Sequence, residues 1–141
     1  MFIVQFKAGF FDRRRVTRAV DRASRRALSR AGAFIRTAAR RLIRTRRRAS
    51  RPGQPPSSHT GLLRRWILFA YDPARKSVVI GAALLNGARR QRKPVPSVLE
   101  FGGEARIGKR SVSIAARPYM RPAYEKERSK LPKRWAGSIS R

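Results

Sequence analysis

The chain has 141 residues, with 36 Lys and Arg against 7 Asp and Glu, and a formal net charge of +29. Its length predicts a single domain spanning residues 1–141, and its 41% hydrophobic content is enough for a small core. The absence of cysteine excludes disulfides and cysteine-ligated metal sites, and the charge predicts a polyanionic partner.

After a short β-type run at residues 2–6, the stretch from Phe11 to Arg48 predicts one long amphipathic helix. Asp12 suits its N-cap. Gly32 is interpreted as a tolerated glycine in a continuous helix, the alternatives being a bend or a close helix contact. The predicted apolar stripe comprises Val16, Val20, Ala23, Ala27, Ala31, Phe34, Ala38 and Leu42. The opposite side, here called the arginine face, comprises Arg14, Arg18, Arg22, Arg25, Arg36, Arg40 and Arg47.

The middle of the chain predicts a loop followed by a β-rich part at about residues 61–116. Prolines and serines make residues 49–60 a mobile loop. The β-prone residues from Leu62 to Gly81 predict a hairpin, with the Asp72-Pro73 pair in its turn. A further strand is predicted over residues 110–116.

The last part of the chain predicts one short helix at about residues 120–131, followed by a tail. Pro122 suits the first turn of this helix, and Pro132 marks its end. Together the elements predict an α+β fold, in which a long N-terminal helix packs on a small antiparallel sheet and a short C-terminal helix completes the domain.

The sequence contains no pattern typical of a catalytic site. The 7 acidic residues are scattered, and the serines have no convincing base because His59 is the single histidine. Neither a phosphate-cradling glycine loop nor a metal-ligand cluster is present in the sequence. We therefore predict a protein without enzymatic activity, cofactor or metal, in which the acids act as helix caps and salt-bridge partners.

The arginine face is suited to the phosphates of double-stranded DNA. Because the sequence lacks helix-turn-helix, zinc-finger and RNA-binding aromatic patterns, the expected contact is with the DNA backbone and independent of sequence. A stand-alone DNA-binding protein is one alternative, and a face that is solvated or pairs with acidic partner subunits is another. Membrane binding is disfavoured, because the apolar stripe is rich in alanine rather than Trp, Phe and Leu.

Three motifs follow one another in the C-terminal half: HTGLLRRWI, SVLEFGG and ARPYMRPAYEKE. Together with the long first helix, they resemble the head–tail joining family of tailed bacteriophages, also called neck or tail-completion proteins. Gly103 stands where that family usually has threonine, and Tyr119 where it has phenylalanine. The matching residues are Thr60, Gly61, Leu63 and Arg64, then Glu100, Phe101 and Gly102, then Arg117, Pro118, Met120, Arg121, Pro122 and Ala123.

The resemblance implies a virion protein of the neck or tail, assembled in the cytoplasm of a host bacterium. It implies a homo-oligomeric ring that joins the head, through its portal or connector, to the tail and surrounds the DNA path. The implied neighbours are connector or stopper proteins and tail-terminator or tail-tube proteins, and no catalytic residues are implied. Phe101, Tyr119 and Met120 are candidates for a subunit interface, and packing within the subunit is the alternative for them.

Overall fold

The computed structural model describes residues 12–83, 95–107, 109–136 and 138, so the run predicted at residues 2–6 lies outside the described residues. One long helix is followed by short strands and short helices, which confirms the α+β class. In chain order the elements are α1 (Arg13–Leu42), β1 (Arg44–Thr45), β2 (Ser57–Ser58), α2 (Leu62–Arg65), β3 (Ile67–Asp72), β4 (Ser77–Ala82), α3 (Val95–Phe101), β5 (Gly103–Ile107), β6 (Arg110–Ile114), α4 (Met120–Arg128) and α5 (Leu131–Ala136).

Helix α1 begins as predicted and ends earlier than predicted. Asp12 is its N-cap, and the carboxylate accepts the backbone N–H of Arg15 at 2.9 Å. The helix ends at Leu42, so the prediction that it continues to Arg48 is wrong. Ile43 is extended and 1% exposed, because it enters the core at the point where the chain leaves the helix to form β1. Strand β1 pairs in parallel with β2.

The buried side of α1 differs from the predicted apolar stripe at several positions. Val16 and Val20 are 44% and 50% exposed, and Phe34 is also 44% exposed. Burial starts only at Ala23, and it includes Ile35, which lies outside the predicted stripe. Small side chains dominate this side because the helix lies close to the rest of the fold. The buried residues of α1 are Ala23, Ala27, Gly32, Ile35, Ala38 and Ala39.

Gly32 lies within a continuous helix, as predicted, and it also marks a close contact. A Cβ atom at this position would lie 2.8 Å from Phe69 Cδ2 and 2.8 Å from Val78 Cγ2. These are residues of the hairpin β3–β4 rather than of another helix. The glycine therefore lets α1 approach the hairpin more closely than any larger residue would allow.

The predicted hairpin is present as β3 and β4, which pair antiparallel from Ile67 with Ala82 to Asp72 with Ser77. Its first strand begins at Ile67 rather than at Leu62, because α2 occupies the preceding residues. The carboxylate of Asp72 accepts the backbone N–H groups of Ala74 and Arg75 at 2.9 and 3.2 Å. This turn geometry explains why the chain reverses at this position.

A second antiparallel hairpin pairs β5 with β6 and confirms the strand predicted near residues 110–116. Within the described ranges the two hairpins are separate, so the antiparallel pairing is divided between two small sheets. The prediction that residues 61–116 are β-rich is incomplete, since helices α2 and α3 lie in the same part of the chain.

The C-terminal part forms two short helices instead of the single helix predicted at residues 120–131. Helix α4 ends at Arg128, and Pro132 lies in the first turn of α5 rather than after a helix. The first turn tolerates proline because its backbone nitrogen needs no partner there. Helix α1 contacts α4, α5 and the hairpin β3–β4. The central cluster of buried residues is Ile35, Ala38, Ala39, Ile43, Ile67, Tyr119 and Ala123.

Candidate nucleic-acid and subunit interfaces

The residues of the predicted arginine face divide into two groups in the structure. Five of them, on the first part of α1 and just after β1, are exposed to solvent. Two others, Arg36 and Arg40, are only partly exposed and make hydrogen bonds within the chain. The exposed group is Arg14, Arg18, Arg22, Arg25 and Arg47.

Arg36 and Arg40 bind backbone carbonyl groups where α2 ends and β3 begins. Arg36 Nε donates to the carbonyl oxygen of Ile67 at 2.9 Å. Arg40 Nε donates to the carbonyl oxygen of Arg64 at 2.8 Å, and its terminal nitrogen donates to that of Arg65. The last carbonyl groups of a helix have no partner within the helix, so these bonds satisfy them. Burial, followed by the charges of Arg36 and Arg64, lowers the pKa of Arg40.

The acidic residues act as caps, turn formers and salt-bridge partners, as predicted. Asp12 caps α1, and Asp72 shapes the turn of the first hairpin. Asp21 lies 2.7 Å from Lys76 Nζ, and Glu125 lies 3.0 Å from Arg121 Nε. These carboxylates therefore have partners in their own chain, although the surface pairs of Asp21 and Glu125 contribute little to stability.

Glu100 joins two of the three motifs. Its carboxylate accepts the backbone N–H groups of Tyr119 at 2.9 Å, Met120 at 3.0 Å and Arg121 at 2.9 Å. These are free donors at the N-terminal end of α4, which has no side-chain cap of its own. A carboxylate at this end of a helix also interacts favourably with the helix dipole. The Glu-Phe-Gly element therefore caps the helix opened by the Arg-Pro-Tyr-Met-Arg-Pro-Ala element.

Arg117 and Tyr119 hold in place the segment of the chain that leads into α4. Arg117 donates its backbone N–H to the carbonyl oxygen of Leu99 at 2.6 Å, and its Nε to that of Ser50 at 3.1 Å. Tyr119 is 2% exposed, and burial together with the charge of Glu100 raises its pKa to about 12. Tyr119 is therefore a core residue, which favours the packing alternative over the interface alternative for this position.

Phe101 and Gly102 lie at the end of α3 and differ sharply in exposure to solvent. Phe101 is 81% exposed, more than any other large apolar side chain among the described residues. Gly102 has a φ of +76°, and a Cβ atom there would lie 3.1 Å from the backbone nitrogen of Ala116. The glycine permits this close turn, which leaves the phenyl ring of Phe101 pointing away from the core. Met120 and Pro118 are partly buried.

The Thr-Gly-x-Leu-Arg motif forms the start of helix α2, whereas the resemblance implies that this motif opens a strand. Gly61 is the N-cap with a φ of +73°, and the Thr60 hydroxyl accepts the backbone N–H of Leu62 at 3.4 Å. Leu63 packs against the central core cluster. A groove of about 420 Å³ beside this motif is lined by Thr37, Arg40, Arg41, Gly61, Arg64 and Arg65.

A second groove, here called the arginine groove, lies where α1 ends and the chain passes through β1. Its volume is about 620 Å³, and its walls come from residues 41–57. It holds five arginines and no acidic residue: Arg41, Arg44, Arg46, Arg48 and Arg51. Sequence reasoning missed this groove, because the predicted helix would have distributed these side chains around its axis. The predicted arginine face includes Arg47, but the residues that line the groove are its neighbours Arg46 and Arg48.

The segment predicted as a mobile loop forms one wall of the arginine groove. Pro56 and Ser58 are buried, and the backbone N–H of Gly53 donates to the carbonyl oxygen of Ala116 at 2.8 Å. Its mobility stays a prediction, while the contact of Gly53 places this segment against the chain just after β6. His59 is exposed, and in the described ranges no cluster of three acidic, His or Cys side chains is placed to hold a metal.

Glu127 is a buried charged residue that sequence reasoning did not single out. Its carboxylate lies 3.0 Å from Lys130 Nζ and 2.9 Å from a terminal nitrogen of Arg134. The guanidinium carbon of Arg134 lies 3.6 Å from the centroid of the Phe34 ring. The hydrogen bond from Lys130, with a further one from Arg134, lowers the pKa of Glu127 against the opposing effect of burial. This cluster fastens α5 to α4 and α1.

The sequence matches no protein-family model, and neither curated proteins nor solved structures show a match to it. Over the part of the chain that the structure describes, no helix is both long enough and apolar enough to cross a membrane.

Proposed function

We propose that this protein is a structural component of the neck of a tailed bacteriophage, without enzymatic activity. It forms a ring that joins the head, through its portal or connector, to the tail and surrounds the DNA path. The observation that carries the proposal is the contact between motifs: the Glu100 carboxylate lies 2.9 Å from the backbone nitrogen of Tyr119. Motifs that resemble one family thus meet at one structural junction, which supports reading them as a unit.

The exposed arginines support contact with the DNA backbone. A net charge of +29 on 141 residues disfavours close approach between copies of the chain. Double-stranded DNA in the centre of a ring supplies the negative charge that would offset this repulsion. The contact is sequence-independent, since it involves phosphates rather than base edges.

Phe101 is our candidate for the contact with a neighbouring copy or with an adjacent connector or tail protein. Its ring is 81% exposed, although it lies directly beside the buried junction formed by Glu100 and Tyr119. Large exposed aromatic side chains held by a rigid backbone are typical anchors of protein interfaces. Trp66 and Trp135 are 37% and 41% exposed and are further candidates.

The test is to locate the protein in virus particles. The protein is labelled at its C-terminus in an infected host, and purified particles are examined by negative-stain electron microscopy with a gold-conjugated label. We expect label at the head–tail junction of most particles. Particles without label, together with a protein that stays monomeric in the presence of connector and tail proteins, would contradict the proposal.

A variant separates this function from that of a stand-alone DNA-binding protein. Phe101→Ser removes the exposed ring and leaves every arginine in place. We expect it to reduce incorporation into particles by at least tenfold while its affinity for free DNA stays unchanged. Normal incorporation of Phe101→Ser would show that this ring is not the anchor, and a wild-type protein that binds DNA but never enters particles would favour the alternative function.

A further inference from the structure

We propose that the arginine groove, rather than Arg14, Arg18, Arg22 and Arg25 of the arginine face, is the principal site at which this protein holds DNA phosphates. The inference rests on the DNA contact in the proposed function and assigns that contact to a particular place. The groove brings five arginines around one cavity of about 620 Å³. Arginine binds phosphate oxygens through two parallel N–H donors, so several arginines around one cavity bring many such donors to one place.

The arginines of the groove are available for a ligand. In the described ranges none of the five forms a salt bridge. Helix α1 contributes Arg41. Arg44, Arg46 and Arg48 are every second residue of the segment that follows the helix. The chain is extended at β1 and bends at residues 47 and 48, so the early end of α1 is what brings these side chains to one groove.

A hydroxyl group beside the arginines provides a second, independent observation. The Ser50 side chain lines the groove, and its Oγ atom is buried with no hydrogen-bond partner among the described residues. Buried polar atoms in folded proteins are normally paired, so this hydroxyl is an unused donor beside the cationic groove. The backbone of Ser50 is held by Arg117 Nε, which keeps this wall in place.

The charge pattern favours DNA over an acidic protein segment. Arg41 lines both the arginine groove and the smaller groove that contains Arg64 and Arg65, so the cationic surface continues past the end of α1. A surface of this extent matches a polymer with regularly spaced charges. A second copy of this chain is a poor occupant, because it has only 7 acidic residues, and all of them except Glu104 cap helices, form turns or pair within their own subunit.

The test compares three variants with equal change of charge. The groove variant is Arg44→Glu, Arg46→Glu and Arg48→Glu, and the helix variant is Arg14→Glu, Arg18→Glu and Arg22→Glu. The control variant carries glutamate at Arg26, Arg30 and Arg128, which are exposed and outside both surfaces. Affinity for a fluorescent 30-base-pair duplex is measured by anisotropy between 0.05 and 0.3 M salt.

We expect the groove variant to bind at least tenfold more weakly than the control variant, and the helix variant less than threefold more weakly. The slope of log affinity against log salt should fall by roughly 2 to 3 in the groove variant, at about 0.9 per lost phosphate contact. A variant with glutamine in place of the three glutamates keeps the test valid if charge reversal prevents folding. Ser50→Ala should weaken binding about twofold to fivefold.

Four outcomes would overturn the inference. Equal losses in the groove and control variants would mean that only net charge matters. A larger loss of DNA affinity in the helix variant than in the groove variant would mean that α1 makes the principal contact. Poly-glutamate that competes with DNA at equal charge concentration would indicate an acidic protein segment as the occupant. Wild-type protein that fails to bind DNA at 0.05 M salt would overturn both this inference and the DNA contact, while the location of the protein in particles is tested separately.

Discussion

The carboxylate of Glu100 accepts the backbone N–H of Tyr119 at 2.9 Å and those of the next two residues at 3.0 and 2.9 Å. One side chain thus satisfies three donors at the start of α4. We expect Glu100→Ala to lower the free energy of unfolding by about 2 kcal/mol, because the donors lose a charged acceptor. Urea denaturation followed by circular dichroism measures this change.

Glu104→Ala is the matched control for the Glu100 variant. Glu104 is exposed on β5, and its closest hydrogen-bond partner is the Ser111 hydroxyl at 3.5 Å. Its loss should change the free energy of unfolding by less than about 0.5 kcal/mol. Equal effects of the two variants would mean that the cap contributes nothing beyond the charge of the carboxylate.

Gly32→Ala should destabilise the protein although alanine is the better helix former. The added Cβ atom would lie 2.8 Å from atoms of both Phe69 and Val78, so the hairpin must move away from α1. We expect a loss of about 1–3 kcal/mol from overpacking, which exceeds the gain of about 1 kcal/mol in helix propensity. Thermal unfolding and urea denaturation both report this loss.

A double variant tests whether the clash is the cause. Val78→Ala removes one of the two atoms that the new Cβ would meet, so Gly32→Ala should be less destabilising in that background. Additive losses would show that the effect of the alanine does not depend on its contact with Val78.

Glu127 should make the stability of the protein depend on acid pH. The pKa of Glu127 is lowered from its ordinary value of 4.5, chiefly by the hydrogen bond from Lys130. The folded state therefore favours the ionised form, and its stabilising effect is present above pH 4.5 and lost as the pH falls through the lowered pKa. We expect Glu127→Gln to be less stable than wild type at pH 7 and equally stable at low pH.

Unfolding measured between pH 7 and pH 3 for both proteins checks this expectation. Glu125→Gln serves as control, because the Glu125 side chain is 57% exposed and its pair with Arg121 lies at the surface. That variant should differ from wild type by less than about 0.5 kcal/mol at pH 7. A difference for Glu127→Gln that stays constant with pH would contradict the role assigned to its charge.

Arg36 and Arg18 should behave differently although both belong to the predicted arginine face. Arg36→Ala removes a part-buried hydrogen bond of 2.9 Å to the carbonyl oxygen of Ile67, and it should lower the free energy of unfolding by about 1–2 kcal/mol. Arg18→Ala should stay within about 0.5 kcal/mol of wild type, because its side chain is exposed. Similar stabilities for the two variants would mean that the Arg36 bond is dispensable.

The parts of the fold that follow local rules were predictable from the sequence. The N-cap at Asp12, the turn at Asp72 and the mixed class depend on residues close together in the chain, and the structure confirms them. The end of α1 depends on the burial of Ile43 and on pairing with β2, which begins at Ser57. Such tertiary contacts override helix propensity, so periodicity alone extended the helix too far.

For the candidate sites, the sequence predicted which types of residue take part but not how their side chains are arranged. Sequence patterns identified an arginine-rich segment, and the direction of each side chain then followed from an assumed straight helix. That assumption placed Arg36 and Arg40 opposite the apolar stripe, whereas tertiary contacts direct both toward the backbone near α2. The arginine groove depends on where α1 ends, and its walls include the residues around Ser50. The shape of the groove therefore depends on the three-dimensional path of the chain, which the sequence pattern did not predict.

The central core cluster has a consequence for the order in which the chain acquires structure during synthesis. Ile35 and Ala39 of α1 are covered by Tyr119 and by Ala123 of α4, which lie near the other end of the sequence. A nascent chain that has emerged only as far as β4 contains the long helix and its hairpin, yet it lacks the residues that close the core. Pairing of residues so distant in sequence is slow, so the part of α1 that packs against Tyr119 and Ala123 stays uncovered until α4 has been synthesised.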